Sequence, residues 1–212
     1  MQTKEIGFVL KRFLPNKNKL SVLTKESGKI EIITRPTAKT IELWPGMLLS
    51  FYKENFANNS KIFIAQDLEI LMSPDFDTNL NIKWAHQILE ICYYFAPLSN
   101  PDKELFDHIY SCFNIMLLNR NFSSELEIIK KIYLIKLLEL LGFYPTTDLI
   151  TYLSLYINIR STYINIVDNN QLKLLKTNLQ NINNAQISKI DKWIIASLAT
   201  HPNFKFFRTI CA

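Results

Sequence analysis

The stretch LSVLTKESGKIEIITRP, residues 20–36, decides the fold of the amino-terminal part of this chain. Leu20, Val22 and Thr24 recur at every second position, and the same alternation resumes after a short polar turn that contains Gly28. A period of two on both sides of a glycine-containing turn predicts a β-hairpin. Pro36 has no backbone N–H to donate, so it closes the second strand.

Three further runs around this hairpin have the composition of β-strands. They span residues 6–14, 45–55 and 61–71, which brings the number of predicted strands to five. A sheet this small leaves unpaired edges unless it closes on itself, and a closed barrel removes them. We therefore predict a five-stranded β-barrel of the OB type as a first domain over residues 1–74.

The pattern becomes helical after residues 73–80, which predicts an α-helical domain over residues 79–212. Asn100 with Pro101 predicts one helix start, and Ser124 with Gly142 predicts the two ends of another. Because the helix that ends near Gly142 is apolar almost all round, we expect it at the centre of a bundle. The remaining predicted helices span residues 81–95, 169–182 and 186–200.

Residues 149–167 interrupt this helical pattern. Leucines and isoleucines alternate with more polar residues from Leu153 to Arg160, which predicts a short β-like insertion, with a helix over residues 147–157 as the alternative. The predicted fold class is therefore α+β, an N-terminal OB-type barrel followed by a helical domain with a β-like insertion.

Positive charge is concentrated at the amino end. The chain has 212 residues and a net charge of +5, but residues 1–40 hold nine Lys or Arg and three acids, whereas residues 41–145 hold eight and thirteen. A basic segment ahead of an acidic one predicts a local surface for a polyanion such as nucleic acid. The alternative is that these lysines only solvate the surface.

Cysteine usage and hydropathy indicate a cytoplasmic protein. Cys92, Cys112 and Cys211 are far apart and form no CxxC pair, which argues against a disulfide framework and against a zinc site. The amino terminus lacks the pattern of a secretory signal. The most apolar run, residues 132–144, is interrupted by charged residues and predicts a core helix, so we expect no membrane span.

No enzyme signature is found in the sequence. With four glycines in the chain, neither of the common glycine-rich phosphate loops occurs, and GxSxG and HExxH are absent. His86, His108 and His201 are scattered, as expected for packing or surface residues. We predict no catalytic residue, no metal, no cofactor and no small-molecule substrate.

The basic residues of the barrel segment are the candidate binding site. Aromatic residues at positions 13, 44 and 52 lie among them, and cations beside aromatic platforms are typical of single-strand binding. The alternative is that these aromatic residues fill the barrel. The predicted DNA-binding residues are Lys11, Arg12, Lys25, Lys29, Arg35 and Lys39, with Lys17 and Lys19 nearby.

The order of these motifs resembles the RecO family of DNA-repair proteins. GFVLKRFLPNKNKLSVLTKESGKIEIITRPTAK, residues 7–39, is similar to the opening of that family: a strand with Val-Leu and then Arg, a loop, a Leu-Thr pair before a Gly-Lys turn, and a basic segment. HQILEICYYFAP, KELFDHIYSCFNIMLL and IYLIKLLELLGFYP resemble its helical domain, including the Gly-Phe-x-Pro ending at Gly142.

Two features differ from the family pattern. Many members carry a four-cysteine zinc module after the Gly-Phe-x-Pro element, whereas residues 146–167 here contain no cysteine, so no metal is expected. The basic run RPTAKT, residues 35–40, lacks the family's usual glycine.

The resemblance implies a recombination mediator rather than an enzyme. RecO-like proteins bind single- and double-stranded DNA, anneal complementary strands, and work with RecR to load RecA onto DNA coated by single-stranded DNA-binding protein. They also bind the acidic, apolar C-terminal tail of that coating protein on the helical domain. A cytoplasmic, nucleoid-associated bacterial protein is implied.

Such a tail requires an apolar groove with cations at its rim. Aromatic residues of the first predicted helix and basic residues of the following ones are candidates for it. The predicted partner-binding residues are Tyr94, Phe95, Arg120, Lys130, Lys131 and Lys136. Two other functions fit the sequence: a protein-interaction module whose barrel is only structural, and an RNA-binding OB protein.

Overall fold

A computed structural model describes residues 3–13, 18–35, 42–55, 62–74, 79–117, 125–164, 169–202, 204 and 207. Five strands precede six helices, so the predicted α+β class is confirmed. The strands are β1 (Thr3–Arg12), β2 (Lys19–Thr24), β3 (Gly28–Thr34), β4 (Leu48–Asn55) and β5 (Ile62–Met72). The helices are α1 (Asn79–Phe95), α2 (Lys103–Leu117), α3 (Leu126–Leu140), α4 (Thr147–Ile164), α5 (Asn169–Gln180) and α6 (Asn184–Ala199).

The five strands form a closed barrel in the order β1-β2-β3-β5-β4. All neighbouring strands are antiparallel except β3 and β5, which run parallel. The hairpin predicted from residues 20–36 is present as β2 and β3, with Leu20 opposite Ile32 and Val22 opposite Ile30. The predicted OB-like barrel is therefore confirmed.

Alternate residues of the strands fill the barrel interior. Val9, Val22, Ile30 and Phe51 belong to this core and are at most 2% exposed. The period-two pattern of the sequence is the cause, because successive side chains of a strand point to opposite faces.

The outer face of β1 and β2 is buried as well. Phe8 and Leu23 point away from the core, yet they are 0% and 2% exposed. Helix α1 packs against β1, and the Phe8 and Phe106 ring centres are 5.4 Å apart. The compact unit that contains the barrel accordingly runs from Met1 to Asp107, and a second unit spans His108–Ala212. The boundary predicted near residues 74–79 marks the change from strands to helices.

The turn between β2 and β3 requires glycine. Gly28 has a φ of 69°, and a Cβ placed on it would lie 2.2 Å from the backbone oxygen of Asn100. Ser99 N donates a hydrogen bond to Lys29 O at 2.9 Å, so the chain that follows α1 lies directly against this turn.

Helix α3 occupies the position expected from its apolar sequence. Ile129, Ile132, Ile135 and Leu138 are fully buried, and the helix contacts both α4 and α6. Gly142 follows it with a φ of 93°, as predicted for a helix C-terminus. The predicted cap at Ser124 lies outside the described residues.

The start of α2 differs from the sequence prediction. Asp102 rather than Asn100 caps the helix, because its Oδ1 accepts a hydrogen bond from Leu105 N at 2.9 Å.

The β-like insertion predicted at residues 149–167 is wrong. Residues 147–164 form helix α4. The alternative prediction of a helix over residues 147–157 was therefore correct, although the helix extends further, to Ile164. Leu149, Tyr152, Tyr156 and Ile159 are buried at intervals of three and four residues, which places them on one helix face. The alternation of leucine and isoleucine concealed this face because Tyr156, which is buried, falls at a position that the alternation counts as polar.

Among the helices that the structure describes, none is both long enough and apolar enough to cross a membrane.

Candidate nucleic-acid interface

Arg12 and Trp44 lie together at one end of the barrel, which we call the Arg12 end. Arg12 is paired with Leu20, a core residue, so its side chain is on the interior face of the wall. The guanidinium carbon lies 5.3 Å from the centre of the Trp44 ring, and Trp44 is 50% exposed. A cation therefore contacts the indole ring while half of the residue's surface is open to solvent.

Lysines and aromatic rings alternate next to this pair. The Lys11 ammonium lies 4.3 Å from the centre of the Tyr93 ring and 5.6 Å from that of Phe13. Lys19 Nζ lies 4.8 Å from the centre of the same Phe13 ring. Tyr93 comes from α1 and was missed by sequence analysis, because it lies within an apolar helical pattern that gives no sign of contact with the barrel.

Arg35 belongs to the same end. It directly follows β3 and is exposed, and Thr34 N donates to Asn18 O at 2.9 Å, which fixes the end of β3 beside the start of β2. The structure thus brings Lys11, Arg12 and Arg35 to one end of the barrel. Lys39 and Lys17 lie outside the described residues.

The cations of the Arg12 end differ in whether an acid neutralises them. Lys19 pairs with Glu31 at 2.7 Å. Within the described part of the chain, Lys11, Arg12 and Arg35 form no ion pair, and the buried Arg12 Nε has no hydrogen-bond partner. These three positive charges remain available to an anion.

Lys25 and Lys29 are not available in this way. Lys25 Nζ lies 3.2 Å from the Asp107 carboxylate. Lys29 is 8% exposed and donates a hydrogen bond to Tyr93 O at 2.6 Å, near the carboxyl end of α1. Burial lowers the pKa of Lys29, with Cys92 and Glu31 acting in the opposite direction. Lys29 was predicted to bind DNA, which requires an exposed side chain, but α1 covers its face of β3 and buries it.

The opposite end of the barrel, which we call the Glu5 end, is neutralised internally. Glu5 is paired with the core residue Phe51, so it too faces the interior, and it is 2% exposed. Lys53 Nζ lies 2.9 Å from Glu5 Oε1, and the Ser27 hydroxyl donates to the same oxygen at 2.5 Å. Lys53 also donates to Ser27 Oγ. Because this ammonium is paired with a carboxylate, it has no lone pair to accept the serine proton, so the contact is not a nucleophilic dyad.

The predicted partner-binding residues are distributed over both units. Tyr94 and Phe95 are half-buried on α1, and the Tyr94 ring meets the Tyr93 ring edge-on at 5.1 Å. Arg120 lies outside the described residues.

The predicted partner-binding lysines on α3 are already neutralised. Lys130 pairs with Glu127 and Lys136 pairs with Glu139, both at 2.9 Å, and Lys130 is 4% exposed. Lys131 pairs with Asp191 of α6. These ion pairs stabilise the helical unit, and the binding of an acidic tail stays a prediction.

A buried histidine links three helices of the second unit. His108 Nε2 lies 3.1 Å from Tyr133 O, and Nδ1 lies 2.9 Å from the Tyr156 hydroxyl. A carbonyl can only accept, so Nε2–H donates to it and Nδ1 accepts the tyrosine O–H. Burial lowers the pKa of His108 to about 3, so the ring is neutral at physiological pH. Its partners are a backbone carbonyl and a tyrosine hydroxyl of neighbouring helices, so His108 is a packing residue, as expected from the sequence.

Among the described residues, no group of three or more histidine, cysteine, aspartate or glutamate side chains is placed to hold a metal ion. No protein-family model matches this sequence, and no curated protein is significantly similar to it. The fold is nevertheless clear, an OB-like barrel followed by helices, and barrels of this kind bind nucleic acids or proteins.

Proposed function

We propose that this protein is a DNA-binding recombination mediator of the RecO type, and that the Arg12 end of its barrel binds the sugar-phosphate backbone. One observation carries the proposal: Lys11, Arg12 and Arg35 lie at the same barrel end, and no acid among the described residues neutralises them. The other described lysines of the barrel strands, Lys4 excepted, and of the β2–β3 turn are ion-paired or buried. The motif order shared with RecO proteins supports the more specific role.

The proposed action is electrostatic. Cations at the Arg12 end neutralise phosphates on two strands, which lowers the repulsion that opposes annealing while most bases stay free to pair. Binding releases counterions from the DNA, so affinity falls as salt increases. Three phosphate contacts correspond to a log–log salt slope of about −2 on single strands. RecR, RecA and the single-stranded DNA-binding protein are the proposed partners, and no chemical step is required.

The test is reversal of the unneutralised charges. We expect Lys11→Glu with Arg35→Glu to weaken binding of a fluorescent single-stranded oligonucleotide at least tenfold and to reduce the salt slope by about 1.4. The matched control reverses Lys173 and Lys192, which are exposed lysines of the helical unit and give the same change in net charge. Fluorescence anisotropy over a range of salt concentrations measures both quantities.

The mediator role is tested with the same two variants. Annealing of complementary oligonucleotides, with and without single-stranded DNA-binding protein, should slow in the first variant and not in the control. Equal effects of the two variants on binding would refute the site. Tighter binding of a matched RNA strand would favour an RNA-binding protein, and binding of the tail peptide without any oligonucleotide would favour a protein-interaction module.

A further inference from the structure

We infer that Trp44 stacks against an unpaired base, so that the Arg12 end accepts single-stranded DNA in preference to duplex. This inference rests on the proposed function, since it specifies the ligand of the same site. It also distinguishes among the three aromatic residues that the sequence offered as stacking surfaces.

Trp44 is a rigid platform. The turn that carries it is held to β1 by two backbone hydrogen bonds, from Gly46 N to Val9 O at 2.8 Å and from Val9 N to Met47 O at 2.9 Å. Arg12 contacts the ring at 5.3 Å, and the residue is still 50% exposed. A ring that is fixed before binding loses little conformational entropy when a base stacks on it.

The other two aromatic residues are less suitable. Phe13 is half-buried, with the Lys11 and Lys19 ammonium groups over its ring. Tyr52 is 36% exposed, but it lies opposite Lys4 near the start of β1 and so away from the Arg12 end. Trp44 is the most exposed of the three, and its ring is in contact with Arg12, a cation that no described acid neutralises.

Arg12 supplies the second half of the site. A guanidinium in contact with an aromatic ring keeps its N–H groups for hydrogen bonds to an oxyanion. The Nε of Arg12 is itself buried, but the residue as a whole is partly exposed, so a phosphate would be bound through its terminal N–H groups. A base on Trp44 and a phosphate on Arg12 are the two chemical parts of one nucleotide.

Stacking on Trp44 requires a free base face. In a duplex both faces of each base are covered by neighbouring base pairs, and exposing one requires unstacking that costs a few kcal/mol. A single strand exposes its bases at much lower cost. The same cations would attract the phosphates of either form, so the preference for single strands comes from the indole.

The experiment compares three fluorescent probes bound to the full chain: an oligothymidylate, a strand of equal length and charge that lacks bases, and a duplex. We expect the oligothymidylate to bind about fivefold or more tightly than the abasic strand, as one stacked base predicts. Trp44→Leu should abolish this difference, chiefly by lowering the affinity for the base-bearing strand. Trp44→Phe, which keeps an aromatic ring, should retain part of it, and Tyr52→Leu, the matched control, should retain all of it.

The outcomes separate the two proposals. If no probe binds, the proposed function itself fails. If all three probes bind equally well, or if Trp44→Leu lowers the affinity for base-bearing and abasic strands alike, the stacking inference is overturned and the electrostatic site remains. Circular dichroism of each variant establishes that the fold is retained, which we expect because Trp44 lies at the surface.

Discussion

The two ends of the barrel differ in whether an inward-facing charge is neutralised by an ion pair. Glu5 and Arg12 belong to the same strand, seven residues or about 23 Å apart, and both face the interior side of the wall. Glu5 is neutralised by Lys53 and hydrogen-bonded by Ser27. Arg12 contacts an indole and no described acid. Both residues keep one buried polar atom, Glu5 Oε2 and Arg12 Nε, without a hydrogen-bond partner among the described residues. The ends differ in charge: Glu5 is neutralised within the barrel, whereas the charge of Arg12 is left for a ligand.

The difference has an energetic meaning. A buried charge without a partner costs several kcal/mol, so the Glu5 end is stable only as a pair. A charge at the Arg12 end keeps contact with water and costs much less until a ligand displaces that water. Loss of a partner should thus reduce stability at the first end and reduce binding at the second.

The largest expected effect is at the Glu5 end. Lys53→Met leaves the Glu5 carboxylate buried and unneutralised, and we expect it to lower the free energy of unfolding by about 3 kcal/mol. Arg12→Met should change it by less than about 1 kcal/mol while weakening DNA binding. Urea unfolding followed by circular dichroism measures the first quantity, and anisotropy measures the second.

A double variant controls this comparison. Adding Glu5→Gln to Lys53→Met removes the unneutralised charge, so most of the lost stability should return. If the single and double variants were equally unstable, the charge would not be the cause. If Arg12→Met were as destabilising as Lys53→Met, the contrast between the two ends would not hold.

Glycine substitutions sharpen the account of the Glu5 end with a smaller effect. Gly28→Ala combines a positive φ with a contact of 2.2 Å to the Asn100 backbone, and we expect a loss of about 2 kcal/mol or more in unfolding free energy. Gly142→Ala is the matched control, because its φ is also positive but a Cβ would meet nothing within 4 Å, and we expect about 1 kcal/mol. Equal losses would show that the segment after α1 shifts at little energetic cost to accommodate a Cβ at position 28.

The last prediction extends the comparison to the helical unit, where the buried His108 is neutral and both of its ring nitrogens are hydrogen-bonded. Its pKa is about 3 in the folded chain against an ordinary 6.5, so the unfolded chain binds a proton first as pH falls. This contribution to stability is complete above pH 6.5 and decreases toward pH 3, by at most about 1.4 kcal/mol per pH unit. Lys136 and Arg160 act in the same direction as burial.

Urea unfolding at a series of pH values measures this loss. In His108→Gln the part of the pH dependence between about 6 and 4 should become flatter, because the titrating group is gone. An unchanged slope would show that other groups cause the acid instability.

The barrel could be predicted from the sequence because its signal is local. The period-two runs around Gly28 determine both the strands and the faces they bury. Helix α4 was predicted only as the alternative, because the leucine and isoleucine alternation counts Tyr156 among the polar positions although it is buried. A helical period that counts tyrosine as apolar would have found it.

The grouping of charges at the candidate binding site could be predicted only in part, because neutralisation depends on distant residues. The partners of Lys25 and Lys29 are Asp107 and Tyr93, which are more than sixty positions away along the chain. No local pattern distinguishes these lysines from Lys11, for which the described part of the chain provides no acid. The sequence indicated which end of the chain is basic, and only the fold separates charges used for stability from charges left for binding.

The parallel pairing of β3 with β5 has a consequence for synthesis on the ribosome. The wall of the barrel is complete only when Ile62–Ala65 reaches Glu31–Thr34, so the β2–β3 hairpin must wait for a much later segment. The strip at Ser99 and Asn100, which lies against Gly28, emerges later still. The nascent chain therefore exposes apolar strand faces until the segment at Ser99 and Asn100 is outside the exit tunnel, a period in which chaperones would have access to them.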